Sequence, residues 1–315
     1  MNFSVSTLHL DGVAQLYEHR LWLAFLFLLL YVFVMLSDSL VVYIVCSQRR
    51  LHQPMYVFVV AVLVNSAVGS TSIYPKLLWD LVQGCRVVQV SRLACLCQAF
   101  LTGSLGSSSF MLLSAMAFDR YLSICRPMRY AALMSPYTVT ALLLVCWMLP
   151  ACRVAGAMFL SSRLPICYTQ VTRIYCDTYT FISMSCGGAS TRISNMYGLM
   201  SATITIFLPV TFVLFSYGRI LVICLKRSRT FSTKALNTCL PHILVFMNFS
   251  LTASTELLHR RLESHSVTVT TSILVVVIPT VFNPVVYGLK VAEIYKHVKR
   301  LLRCPRTAKT EPFST

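Results

Sequence analysis

Residues 21–47 read LWLAFLFLLLYVFVMLSDSLVVYIVCS, and the only charge in the run is Asp38. A helix rising 1.5 Å per residue needs about 20 mostly apolar residues to cross a bilayer. The run is therefore read as a membrane span, and it is too long for the roughly 7–15 residue core of a cleaved signal peptide. The mixed-polar residues 1–20 precede it. The same test picks out 55–83, 94–122, 137–160, 194–225, 235–259 and 267–290, which makes seven spans in all. Span six is the most polar, with Asn248, Ser250, Thr252, Ser254, Thr255 and Glu256. Lipid cannot satisfy such groups, so that face must meet other helices or a cavity.

Composition points the same way. Of 315 residues, 57% are hydrophobic and only 12% charged, with a mean hydropathy of +0.71. Soluble domains carry about 25% charged residues, and so few charges cannot coat solvated surfaces. The apolar and aromatic content also excludes intrinsic disorder. The net charge of +17 is spread between the apolar runs, a pattern of membrane topology rather than of nucleic-acid binding. Counting Lys and Arg by loop gives 15 on the Arg49 side and 9 on the other, but 8 against 9 once the tail from Lys290 is set aside. The tail therefore decides for a cytoplasmic C-terminus and an extracellular N-terminus.

Beyond span seven, Ile294, Val298, Leu301 and Leu302 recur at helical spacing among Lys296, Lys299 and Arg300. This reads as a short amphipathic helix on the anionic leaflet, with Cys304 beside it as a candidate acylation site. The expected architecture is an all-α membrane protein, a seven-transmembrane helix bundle. Residues 1–20 form an extracellular tail, 21–290 the bundle, and 291–315 the amphipathic helix and cytoplasmic tail. No nucleophile elbow, zinc-protease motif, phosphate loop or paired Cys-x-x-Cys is present, and the histidines are scattered. No enzyme, metal or cofactor is expected.

Span three closes on MAFDRYLSICRPMRY (116–130) and span seven on PTVFNPVVYGLK (279–290). Together these resemble the rhodopsin-like G-protein-coupled receptors. LHQPMY (51–56), Ser216-Tyr217 and KALNTCLPH (234–242) narrow the resemblance to the odorant receptor subfamily, from about residue 20 to 303. The resemblance implies an activation and G-protein-coupling set of Asp119, Arg120, Tyr121, Tyr217, His242, Asn283, Pro284 and Tyr287. In it Arg120 is a lock released when span six swings out, and Tyr287 turns inward to meet Tyr217 through water. The residues alone allow blander readings: a snorkelling arginine at a helix end and a proline packing kink.

Cys95, Cys167, Cys176 and Cys186 fall on the expected oxidising side, where four cysteines permit three connectivities and Cys85 and Cys97 lie near. The resemblance pairs Cys95 with Cys176 and Cys167 with Cys186. Asn2-Phe3-Ser4 is a glycosylation sequon on the expected outer tail, whereas Asn248-Phe249-Ser250 lies inside a span.

Thr102 lies eighteen residues before Arg120, about 27 Å along the helix. Amine receptors of the wider family hold an aspartate there, which argues against a biogenic amine. The small residues from Gly103 to Ser109 either pack helices closely or leave space for a ligand. Thr102, Gly106, Ser107, Phe249, Ala253, Leu257, Ile273 and Val276 would then line a mostly apolar pocket for a small organic molecule. Arg260, Arg261 and Glu256 read as solvated charges at its rim. Several positions depart from the family: Ser37-Asp38 replaces Gly-Asn, Asn65-Ser66 stands where span two carries an aspartate, and Ser109 stands where odorant receptors often have glutamate. The family's aromatic toggle aligns with Ser250. Asp38 is expected to take over as the buried acid, hydrogen-bonded to Asn283.

The function implied is an odorant receptor in the plasma membrane that activates a stimulatory heterotrimeric G protein and raises cyclic AMP. Its expected partners are a small odorant, that G protein and membrane lipid, with no nucleic acid. A receptor for a non-odorant ligand, or a polytopic transporter or channel, is the alternative.

Overall fold

The computed structural model describes residues 7–226, 229–262, 265–290 and residue 295. Seven long helices form the bundle: α1 (Arg20–Ser47), α2 (Pro54–Gln83), α3 (Arg92–Cys125), α5 (Pro136–Ser162), α7 (Ala189–Leu225), α8 (Arg229–Leu262) and α9 (His265–Lys290). Two short helices, α4 (Pro127–Leu133) and α6 (Thr180–Ser183), lie in the connections. The starts and stops follow local chemistry. Pro54, Pro127 and Pro136 each open a helix where a missing N–H costs nothing. The Ser91 and Ser135 hydroxyls accept from the backbone N–H of Ala94 and Thr138. Gly84, at φ +70°, ends α2 in the left-handed conformation that favours glycine.

Among the described residues six helical stretches are long and apolar enough to cross a membrane: Gly12–Ser47, Pro54–Gln83, Arg92–Cys125, Pro136–Ser162, Ala189–Leu225 and Val269–Gly288. The helix that falls short is α8, and the reason is visible in its packing. Part of its polar set turns inward: His242 and Glu256 are buried, and Thr252 lines an internal cavity beside Phe249 and Ala253, whereas Ser254 and Thr255 are exposed. Large apolar side chains such as Trp22, Leu36, Phe207, Leu208 and Phe215 instead remain exposed on α1 and α7. Such a belt has no role in water and is what lipid contact requires.

Among the described residues the bundle has two large apolar cores and a small third one around Ile220, Cys224 and Cys239. One, around Phe58, Leu63, Leu112, Met116, Val245 and Tyr287, packs the end that carries Asp119. The other, around Leu8, Tyr74, Leu81, Cys176 and Phe181, packs the opposite end, which carries the disulfides. The two disulfides are Cys95–Cys176 and Cys167–Cys186, while Cys85 and Cys97 are free and exposed.

Residues 7–19, which the sequence assigns to a tail, are structured. Thr7–Leu10 forms strand β1, the middle of a small sheet at the disulfide end. It pairs antiparallel with β2 (Val88–Ser91), Thr7 opposite Ser91, and parallel with β3 (Gln170–Val171), His9 opposite Gln170. The cause is a short period-two pattern: Leu8 and Leu10 are buried while Thr7 is exposed. A 3₁₀ helix over Gly12–His19 then leads into α1. Gly12 passes so close to the next segment that a Cβ there would lie 2.5 Å from the Arg173 carbonyl carbon. Gly12→Ala must therefore push the strap off its seat. Overpacking of this kind costs about 1–3 kcal/mol, which a drop in the melting temperature of the purified protein will report. An unchanged melting temperature would contradict the close approach.

The proposed acylation site Cys304, the sequon Asn2 and the amphipathic helix over 291–302 lie outside the described residues, Tyr295 apart. The side chains of Arg260 and Arg261 lie outside the description as well.

Candidate functional site

A cavity of about 340 Å³ opens inside the bundle, lined by residues of α2, α3, α5, α7, α8 and α9 and by the loop after Cys176. Most of its wall is apolar, through Phe110, Val154, Ala157, Ile206, Phe249 and Leu257. Small residues on α3 create the space. A Cβ on Gly106 would meet nothing within 4 Å, whereas one on Gly103 would touch Val154 and Thr178 at 3.2 Å. The glycine run thus does both things open to it: Gly103 brings α3 and α5 together, and Gly106 leaves room.

The structure places Thr102, Gly106, Ser107, Phe249, Ala253, Leu257 and Val276 on the cavity wall. Ile273 is not among the lining residues and packs in the apolar core of the disulfide end. It lies one turn along α9 from Val276, beside Ser272, which belongs to an ionic layer. In that layer Arg173 Nη1 donates to Glu256 Oε1 at 2.8 Å and Ser272 Oγ at 3.4 Å, and lies 3.8 Å from Asp177 Oδ2. Glu256 is therefore not a solvated rim charge. It is buried and paired, because Cys95–Cys176 draws the loop carrying Arg173 and Asp177 onto the bundle. Gln98 fixes the same loop, accepting from the Cys176 N–H at 2.9 Å.

Tyr175, Asp177, Thr178 and Tyr179 of this loop also line the cavity, and the sequence reading did not single them out. The available signal was their position immediately around Cys176. Arg153 was missed as well. It is one of the nine charges tallied on the outer side although it falls inside the expected span 137–160, and it lies within α5 and on the cavity wall.

On the cavity wall, Asn65 ties three helices together. Its Nδ2 donates to the Leu105 carbonyl at 2.8 Å and to Ser109 Oγ at 2.9 Å, and its Oδ1 accepts from Trp147 Nε1 at 3.3 Å. Phe110 packs edge-on against Phe246 and Phe249, with ring centroids 6.3 and 6.2 Å apart. This aromatic group underlies the cavity, while Ser250, at the family's toggle position, has a buried hydroxyl without a described partner. Asp38 is buried and faces Ser66, and neither carboxylate oxygen has a described partner within hydrogen-bond distance. The expected bond to Asn283 is therefore not made, and the Asn283 Oδ1 is also without a described partner. Asn283 itself lines the cavity, so one residue of the Asn-Pro motif touches the space a ligand would fill.

At the other end Asp119 is fully buried and both its oxygens are used. Arg120 donates through Nε at 3.0 Å and Nη2 at 2.5 Å to Oδ2, and the Tyr130 hydroxyl of α4 donates to Oδ1 at 2.7 Å. Burial, and then the bond to this carboxylate, push the Tyr130 hydroxyl well above its usual range, so it remains a donor. Tyr121 and Tyr217 pack together around Ile220, Cys224 and Cys239. The Tyr217 hydroxyl and both His242 ring nitrogens are buried without a described partner. Pro284 is buried in α9. Tyr287 packs at a tilt against His242, ring centroids 5.9 Å apart, and its hydroxyl points to Met116 Sδ at 3.8 Å. Among the described residues no cluster of three or more potential metal ligands occurs.

Three comparisons bear on this arrangement. A profile described as olfactory receptor matches residues 27–304. Human Olfactory receptor 11A1 is 28% identical over 313 residues, covering 97% of this chain and 96% of the relative. Human Olfactory receptor 6N1 is 32% identical over 303 residues, covering 94% and 92%. Squid rhodopsin, a crystal structure, superposes with a TM-score of 0.72 over 93% of this chain and 89% of that one, at 15% identity, which speaks for the fold alone.

Proposed function

Because this chain belongs to the olfactory receptor family, a family of multi-pass plasma-membrane receptors and not of enzymes, we propose that it is an odorant receptor coupled to a stimulatory G protein. A small organic ligand enters from the disulfide end, which faces the exterior, and occupies the cavity between α3, α5, α7 and α8. The Asp119 end faces the cytoplasm, where the α8–α9 side opens and the G protein exchanges nucleotide, raising cyclic AMP.

The observation that carries this reading is the connection between the two ends. Asn283 lines the cavity, and four residues further along α9 Tyr287 packs on His242. Tyr217 and His242 hold buried polar atoms without described partners, and unsatisfied groups of this kind favour any rearrangement that supplies them. A ligand shifts the equilibrium towards such a rearrangement only to the extent that it binds the open arrangement more tightly. Arg120, now held by Asp119, would be released to the G protein in that state.

The test is cyclic AMP in cells displaying the tagged receptor, challenged with a diverse odorant panel, with Arg120→Ala run alongside. A ligand-dependent rise that disappears in Arg120→Ala at equal surface abundance is the expected result. A rise equally strong in the variant, or a cell-surface receptor that answers through no stimulatory G protein, would overturn the coupling.

A further inference from the structure

We propose that the ligand of this cavity carries an anionic oxygen group, a carboxylate on an apolar body, and that Arg153 binds it; the inference rests on the receptor reading above. Arg153 lies nine residues, about 14 Å, inside the Ser162 end of α5. A charged side chain at membrane depth is expensive and marks function more often than packing.

Its partners do not neutralise it. Nη2 donates to Ser107 Oγ of α3 at 2.5 Å, and Nη1 donates to Ser201 Oγ of α7. Its backbone carbonyl accepts from the Tyr197 hydroxyl at 3.0 Å. All of these groups are uncharged. The ion pairs among the described residues engage Lys76, Arg120 and Arg173. The two acids on the cavity wall, Asp177 and Glu256, both lie against Arg173. Arg153 is thus the cation on the described wall without a carboxylate beside it.

A guanidinium presents a planar fork of N–H donors that matches a carboxylate in bidentate fashion. Ser107 already donates to the Gly103 carbonyl at 2.8 Å, so it serves Arg153 only as an acceptor, a place an incoming carboxylate oxygen can take. The wall near Arg153 is otherwise apolar, with Val154, Ala157 and Ile206 beside the open space at Gly106. That combination excludes a bare inorganic anion and fits an acid with a hydrocarbon body. A lipid phosphate shares the anionic-oxygen chemistry and is distinguished below.

The experiment measures the melting temperature of the full-length receptor in phosphatidylcholine nanodiscs. It is titrated with straight-chain monocarboxylates of increasing length, and with the primary alcohols and methyl esters of the same chains. The expected result is saturable stabilisation by an acid of fitting length, with the matched alcohol and ester about tenfold to a hundredfold weaker. Arg153→Lys keeps part of the preference for the acid, Arg153→Gln loses it, and Arg153→Glu transfers it to the primary amine of the same chain. Equal stabilisation by acid and alcohol, or an unchanged acid affinity in Arg153→Gln, overturns the proposal. Nanodiscs containing phosphatidylglycerol identify the source: stabilisation by that lipid alone, with no further gain from acid, makes a headgroup the occupant and overturns the free acid. If the Gln and Glu variants do not fold, the acid against alcohol comparison on the unaltered receptor decides. Melting needs no G protein, so acid binding with silent cyclic AMP sinks the signalling reading alone. A cyclic AMP response to neutral odorants without acid binding sinks this one alone.

Discussion

Cys176→Ser is expected to lower the stability of the receptor by about 2–4 kcal/mol and to remove most of it from the cell surface. The Cys95–Cys176 bond closes a sequence separation of 81 residues, against 19 for Cys167–Cys186. In the chain-entropy account the longer closure is worth about 1 kcal/mol more. The difference in place matters further. Cys95–Cys176 ties the loop to α3, and with it go the Gln98 contact, the Arg173–Glu256 pair and the tyrosines on the cavity wall. The shorter bond joins two points within the loop. Cys186→Ser should therefore leave a weakened but ligand-responsive receptor, whereas Cys176→Ser should lose both melting temperature and response. Surface staining and thermal melting of the two variants side by side check this. Equal losses would mean the loop is held by its packing around Phe181 and Met184 instead.

Gly106→Leu is expected to abolish ligand response at undiminished surface abundance, a loss of potency of about a hundredfold or more, or ~2.7 kcal/mol. The new side chain would stand in the space that a ligand needs, since nothing lies within 4 Å of a Cβ there. Stability should hold or rise, because glycine inside a helix is about 1 kcal/mol less favourable than alanine, with leucine close behind. Gly103→Leu is the control. Three residues earlier on α3, its Cβ already meets Val154 and Thr178, so it should lose folding and response together. Dose–response curves normalised to surface abundance separate the two. A full response in Gly106→Leu would place the ligand elsewhere.

The spans were legible because twenty apolar residues in a row have few other uses. Their ends were less so. α7 starts at Ala189, five residues before the expected Ser194, because Gly187 and Gly188, both at positive φ, set the break. Arg192 in the first turn had disguised the helix as loop. The polar residues of α8 were expected to face inward, which holds for Thr252 and Glu256 but not for Ser254 and Thr255; these two are exposed, and Thr255 satisfies its hydroxyl on its own helix at the Leu251 carbonyl. Ile273 was placed by helical spacing along α9, which cannot reveal that its side chain packs into the apolar core of the disulfide end beside the Arg173 layer. Arg153 shows the same limit more sharply. A lone arginine near the end of an apolar run looks like the end of a helix, and the serines that hold it are 46 and 48 residues away. Contacts at that separation exist only once helices are packed. The bond expected between Asp38 and Asn283 failed for the related reason that two suitable polar residues on neighbouring helices need not point at each other.

The sheet at the disulfide end has a chronology written into it. β1, the first strand to be synthesised, is the middle one, and its neighbours β2 and β3 follow much later in the chain. During synthesis β1 is an orphan until α2 is finished, and it keeps one open edge until the ribosome has passed α5. An interrupted chain would therefore present an unpaired strand, the kind of edge that invites pairing with another chain. A complete and oxidised loop hides it. The same few residues that cap the finished receptor thus distinguish a chain that has passed β3 from a shorter fragment.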